Sequence, residues 1–104
     1  MIIEMRTHKI KPGLRDRFIE VFRAKSIPKQ TELGMKVVGP FPSVEDPDIV
    51  FIMRGFPDLA SRERMKEAFY EGEYWKKELE PILIPMLEKW EVVTVEDDSN
   101  VIRW

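Results

Sequence analysis

Five consecutive apolar residues, Ile49-Val50-Phe51-Ile52-Met53, running into Arg54-Gly55, constrain the fold more than any other stretch of the chain. Successive side chains of a strand point to opposite faces, so a strand here offers apolar surface to both sides of a sheet. It belongs in the middle of that sheet and needs cover above and below. Residues 2–10 alternate as a second strand, with Ile3, Met5 and Thr7 toward one face and Glu4, Arg6 and His8 toward the other. Lys11-Pro12-Gly13 ends it with turn chemistry.

From Leu14 the period changes. Leu14, Phe18, Val21 and Phe22 share one helical face, opposite Arg15, Arg17, Glu20 and Arg23. Pro28 kinks this helix and Gly34 stops it. Residues 35–41 read as a strand carrying Pro40, with Pro42 just beyond; proline cannot donate to a ladder, which places this strand at an edge. After the apolar strand, Pro57-Asp58 starts a helix that Asp58 can cap, with Leu59, Met65, Ala68 and Phe69 as its apolar stripe. Beyond Gly72, Trp75, Leu79, Ile82, Leu83 and Met86 fall at the spacing of a buried helical face that Pro81 and Pro85 interrupt. Residues 88–96 form the last strand, Trp90, Val92 and Thr94 alternating against Glu91, Val93 and Val95.

The order strand–helix–strand–strand–helix–strand, joined by right-handed crossovers, predicts one α+β domain over 1–104. It is ferredoxin-like βαββαβ, a four-stranded antiparallel sheet with helices on one face and the first and third strands central. The other face is left open. Covering about 600 Å² of apolar surface on it would contribute on the order of 15 kcal/mol before association costs, so a homodimer packed sheet to sheet is expected. The alternatives are a monomer whose apolar tail, Val101-Ile102-Arg103-Trp104, folds over its own sheet, and a tail that crosses to the partner.

Composition removes several chemistries. There is no cysteine, hence no disulfide, thiolate nucleophile or zinc-thiolate site. A single histidine excludes a multi-histidine metal site within one subunit. Net charge is −2 with the signs interspersed, which gives no reason to expect nucleic acid or an anionic membrane. No Gly-rich phosphate loop and no serine in a nucleophile-elbow context occurs. No signal peptide or membrane-length apolar run is recognisable, so a cytoplasmic protein is expected, with no metal or cofactor.

What remains is a polar group in an odd place. Glu4, Arg6 and His8 project from one face of a central strand, and Arg54 on the neighbouring strand lies close to Glu4. One reading is a structural ion-pair cluster. The other is the polar end of a ligand pocket, with His8 as acid or base and Arg6 or Arg54 holding an anionic or carbonyl oxygen. Both require these residues to touch, because buried polar groups must be paired. Tyr70 and Trp75 could wall an aromatic pocket between sheet and helices, or Trp75 could be a core anchor. Phe18, Phe22, Phe51 and Trp90 are open to the same two readings, pocket wall or core, with most of them core. Arg62 and Arg64, beside Glu63 and Glu67, read as a solvated charged face, with an Arg62 that points inward beneath the sheet as the alternative.

Met5-Arg6-Thr7-His8-Lys9-Ile10-Lys11-Pro12-Gly13 resembles the opening of the NIPSNAP family, with His8 where a tyrosine is common. Arg54-Gly55-Phe56, Ser61-Arg62-Glu63-Arg64, Phe69-Tyr70 and Trp75 resemble its second half. The resemblance implies the dimeric α+β barrel group, whose two sheets pack face to face in a homodimer. That group includes cofactor-free monooxygenases, isomerases and haem-degrading enzymes. The last of these carry their ligand histidine on a helix, where this chain has none.

Three functions follow as expectations. The first is a homodimer binding a small hydrophobic or aromatic molecule between sheet and helices, through Glu4, Arg6, His8, Arg54, Tyr70 and Trp75. The alternative is a cofactor-free monooxygenase or isomerase on an aromatic or polycyclic substrate, with His8, Arg6 and Arg54 as catalytic candidates; a cavity above about 300 Å³ containing His8 or an arginine would favour it. The second alternative is a protein-interaction module.

Overall fold

A computed structural model describes residues 1–104. Four strands, β1 (Ile2–Ile10), β2 (Lys36–Pro42), β3 (Ile49–Phe56) and β4 (Leu87–Glu96), form one antiparallel sheet in the order β2-β3-β1-β4. The apolar strand is β3, and it lies inside the sheet beside β1. The proline-bearing strand β2 is an edge, with a register shift between Val38 and Phe41 where Pro40 interrupts the ladder. Gly39 sits there at φ +106°, a backbone conformation that only glycine adopts without strain.

Pro28 in the first helical crossover and Pro81 in the second are passed in the same way. The first runs as α1 (Arg15–Val21), a widened π turn (Phe22–Ser26) and α2 (Ile27–Glu32). The second crossover comprises α3 (Leu59–Tyr70), a π turn (Trp75–Leu79), α4 (Glu80–Leu83) and a 3₁₀ turn (Ile84–Met86). The residues before Pro28 and Pro81, Ile27 and Glu80, donate five residues back, to the carbonyls of Phe22 and Trp75. The proline that follows then occupies the first turn of the next helix, where its missing N–H costs little. Asp58 caps α3 as expected, its Oδ1 accepting from the Ser61 N–H at 2.7 Å.

The core lies between sheet and helices. Ile2, Ile10, Val50, Ile52 and Phe56 meet Phe18, Val21, Phe22, Phe69, Leu79 and Leu83 there. Some sequence assignments need correction. Leu59 and Ala68 of the expected α3 stripe are exposed, and the helix buries Ser61 and Phe69 with Met65 partly covered. Trp90, expected in the core, is 52% exposed, because β4 is an edge that the helices do not reach over. Phe51 is half-buried on the open face. Phe18 and Phe22 are core residues, stacked with centroids 5.8 Å apart.

The tail folds over one end of the open face. A Cβ on Gly55 would lie 2.6 Å from Cζ2 of Trp104, so the indole rests directly on that glycine. Ile3, the register partner of Gly55, is fully buried. Further along the same face Met5, Phe51 and Met53 stay half-buried, and Phe41 and Val93 are exposed. No helix is long and apolar enough to cross a membrane.

Candidate functional site

The β1–β3 register sets Glu4 opposite Arg54, Arg6 opposite Ile52 and His8 opposite Val50, all on the helix-facing side. Even-numbered residues of β1 therefore carry a charge, a charge and an imidazole into what is otherwise core. Their side chains meet as the contact requirement demanded. Glu4 is completely buried and is the hub. Its Oε1 accepts from Arg6 Nη1 at 2.8 Å and from Arg54 Nε and Nη2 at 3.0 and 2.8 Å. Oε2 accepts from Arg62 Nε and Lys66 Nζ, both at 2.8 Å.

One carboxylate thus serves four cations. Burial alone would raise the Glu4 pKa, but the charge of Arg54, the hydrogen bond from Lys66 and the charge of Arg6 outweigh it and hold the carboxyl far below the usual range. Arg62 does not belong to the solvated face: it takes the alternative orientation, pointing inward to bind Glu4. Lys66, one helical turn further along α3, escaped the sequence reading altogether. Arg62 and Lys66 share a face four residues apart, and Phe69 follows on the same side. That spacing was the available signal.

Arg54 is heavily engaged. Besides Glu4 it donates through Nη1 to Tyr70 Oη at 2.8 Å and Gln30 Oε1 at 3.3 Å, and its guanidinium lies 5.6 Å from the Tyr70 ring centroid. Gln30 passes the chain on to Ser26, donating to its Oγ at 2.9 Å. These two buried polar residues were also missed. Four of the five guanidinium N–H donors of Arg54 are thus used within the protein, and it borders the small interior cavity but not the open cleft beside it, a position that suits a structural role. Arg6 differs: Nη1 goes to Glu4 and Nε donates to His8 Nε2 at 3.4 Å, while Nη2 has no protein partner. Burial, then the neighbouring Arg54 charge, draw the Arg6 pKa downward.

His8 is buried, edge-on to Phe18 at 6.0 Å. Burial first, then the charges of Arg6 and Arg54, lower its pKa from 6.5 to about 3, so it is neutral at physiological pH. With Nε2 accepting from Arg6, the proton belongs on Nδ1, and Nδ1 has no partner. An unsatisfied buried donor costs about 1–3 kcal/mol. An imidazolium here would lie in a poorly solvated site beside two guanidinium groups, which is why the neutral form is favoured.

Two neighbouring spaces adjoin these groups. An interior cavity of about 40 Å³ lies between sheet and helices, large enough for a few waters and too small for an organic ring. A more open cleft of about 380 Å³ lies beside it, lined by Arg6, His8, Lys66, Tyr70, Trp75, Ile84, Leu87 and Trp90. Arg6, His8, Tyr70, Trp75 and Leu87 border both. Tyr70 and Trp75 meet edge to face at 4.9 Å, and Trp75 Nε1 donates to Glu80 Oε2 at 3.1 Å. Of the sequence-predicted residues, Arg6, His8, Tyr70 and Trp75 line the cleft, Arg54 borders only the interior cavity, and the buried Glu4 borders neither.

The NIPSNAP family model matches residues 3–89. This chain belongs to the NIPSNAP family. It is similar to a solved, uncharacterised NIPSNAP domain protein from Burkholderia xenovorans at 20% identity and TM-score 0.85, over 99% of this chain and 100% of that one. A NIPSNAP family protein from Agrobacterium tumefaciens matches at 25% identity and TM-score 0.84, over 98% of each chain. A solved antibiotic biosynthesis monooxygenase shares the fold at 18% identity and TM-score 0.68, over 93% of this chain and 98% of that one. These likenesses agree with the ferredoxin-like α+β assignment. No curated protein matches in sequence.

Proposed function

We propose that this NIPSNAP protein binds a small organic molecule with a hydrophobic or aromatic body in the cleft between sheet and helices, as a homodimer built on the open sheet face. The observation that carries the reading is the cleft: about 380 Å³, walled by Tyr70, Trp75 and Trp90, with Arg6 and His8 at its base. Apolar walls with a few convergent polar groups are the usual makeup of small-molecule sites. The half-buried Met5, Phe51 and Met53, with exposed Phe41 and Val93, support the dimer, since the tail of one chain covers only the Ile3–Gly55 end.

Native mass spectrometry of protein purified from its own cells tests the ligand. A bound organic mass lost on substituting Trp75→Ala supports the site. A ligand-free spectrum, together with no density in the cleft of crystals grown from the same preparation, counts against it.

The second reading, a cofactor-free monooxygenase or isomerase, is favoured by the cleft's size and by the cations beside it, which would stabilise an enolate. Against it stands His8. A histidine with a pKa of about 3 is too weak a base to take a proton from carbon at neutral pH, so binding is the better-supported function.

A further inference from the structure

We propose that the ligand of this cleft is an organic anion, a carboxylate on a flat apolar body, held by Arg6 and Lys66. This rests on the reading of the cleft as a ligand site and names the chemistry it selects. Glu4, Arg6, Arg54, Arg62 and Lys66 together carry one negative and four positive charges, an excess of three. The further acid in contact with the cluster is Glu63, 3.5 Å from Arg62 Nη1, and its side chain is 79% exposed, where water weakens the attraction. Excess charge that is largely removed from water calls for a counter-charge.

The cleft is where such a charge can enter. Arg6 and Lys66 are the two members of the cluster that line it, and no carboxylate lines it with them. Arg6 Nη2 has no protein partner, and Lys66 Nζ has one bond, to Glu4. An ammonium carries three donors, so Lys66 has two free. A carboxylate has two oxygens to offer these donors, and charge-assisted bonds of this kind are the stronger ones. Tyr70, Trp75 and Trp90 leave the walls for a planar apolar body. A neutral ligand would leave the excess charge uncompensated, and a cation would add to it.

The test is isothermal calorimetry on the intact wild-type protein with 2-naphthoate and its neutral isostere 2-naphthamide, at fixed low salt and neutral pH. Naphthoate is expected to bind about tenfold more tightly than the amide, or better, the size of one to two charge-assisted hydrogen bonds. Arg6→Gln should abolish that preference, but it removes a partner of Glu4 and can fail to fold. Lys66→Met keeps the apolar stem of a side chain that is 29% exposed, and it should cut the naphthoate-to-naphthamide affinity ratio about fivefold. Equal affinities for the two probes, or an unchanged ratio in Lys66→Met, would overturn the anion assignment and leave the cleft as a neutral-ligand site. No binding of either probe at millimolar concentration would overturn both.

Discussion

Removing the only histidine should make this protein less sensitive to mild acid. His8 is buried against Phe18 with Arg6 donating to its Nε2, and its pKa falls from 6.5 in the unfolded chain to about 3 in the folded one. Between those two values the unfolded state binds a proton that the native state refuses, so stability rises with pH across the interval and falls as acid is added. Above pH 6.5 neither state is protonated and the effect vanishes. Integrating from pH 7.5 to pH 5 gives a loss of about 2 kcal/mol from this one group.

The interval is clean. Glu4 also has a depressed pKa and also loses its stabilisation on acidification, but only as pH falls through its unfolded value of 4.5 and below. Asp46, Asp58 and Asp97, lowered chiefly by backbone hydrogen bonds, act at lower pH still, below 3.8. The assay is urea unfolding of wild type and His8→Gln at pH 7.5 and pH 5, at one protein concentration because association would shift the midpoints. The wild-type midpoint should drop roughly 1 M further than that of the variant, for a slope typical of a domain this size. Parallel shifts in the two proteins would refute the placement of His8 as a buried, neutral imidazole between cations.

Three more outcomes are expected. Glu4→Gln removes the single anion from four cations and should cost about 3–5 kcal/mol of unfolding free energy, read by denaturant melts; a loss below about 1 kcal/mol would contradict the hub role. Gly55→Ala drives a methyl into the Trp104 ring, and because that ring ends a free tail the tail should lift, shifting the Trp104 indole N–H resonance at a cost under about 1 kcal/mol; an unmoved resonance would rule out the docked tail. Met53→Asp, on the open face, should yield monomers or insoluble protein, whereas an unchanged dimer in light scattering would remove the sheet-to-sheet interface.

Much of the scaffold was legible in the chain because the signals are local. The two-sided run at Ile49–Met53 marks an inner strand, Pro40 and Pro42 mark an edge, and Asp58 caps the helix that follows. Each follows from the chemistry of a few neighbouring residues. The pairing of Glu4 with Arg54 was legible for a similar reason, since strand order and alternation bring them opposite each other.

The identity of the other cations was not legible. Arg62 and Lys66 lie 58 and 62 residues from Glu4, on a helix whose run of charges reads as solvated. Charge partners across such separations depend on where α3 crosses the sheet, and no local period encodes that crossing. Trp90 was misjudged for a related reason: alternation says which face of β4 a side chain takes, but only the placement of the helices decides whether that face is covered. The sequence by itself determined the order of strands and helices and the chemical types available to a site. The tertiary structure decided that Glu4 is a hub, that Arg54 is spent mostly on partners within the protein, and that Arg6, Lys66 and His8 line the cleft. Backbone preferences act between residues close in the chain, whereas electrostatic satisfaction and burial are settled by whatever the fold brings within a few ångströms.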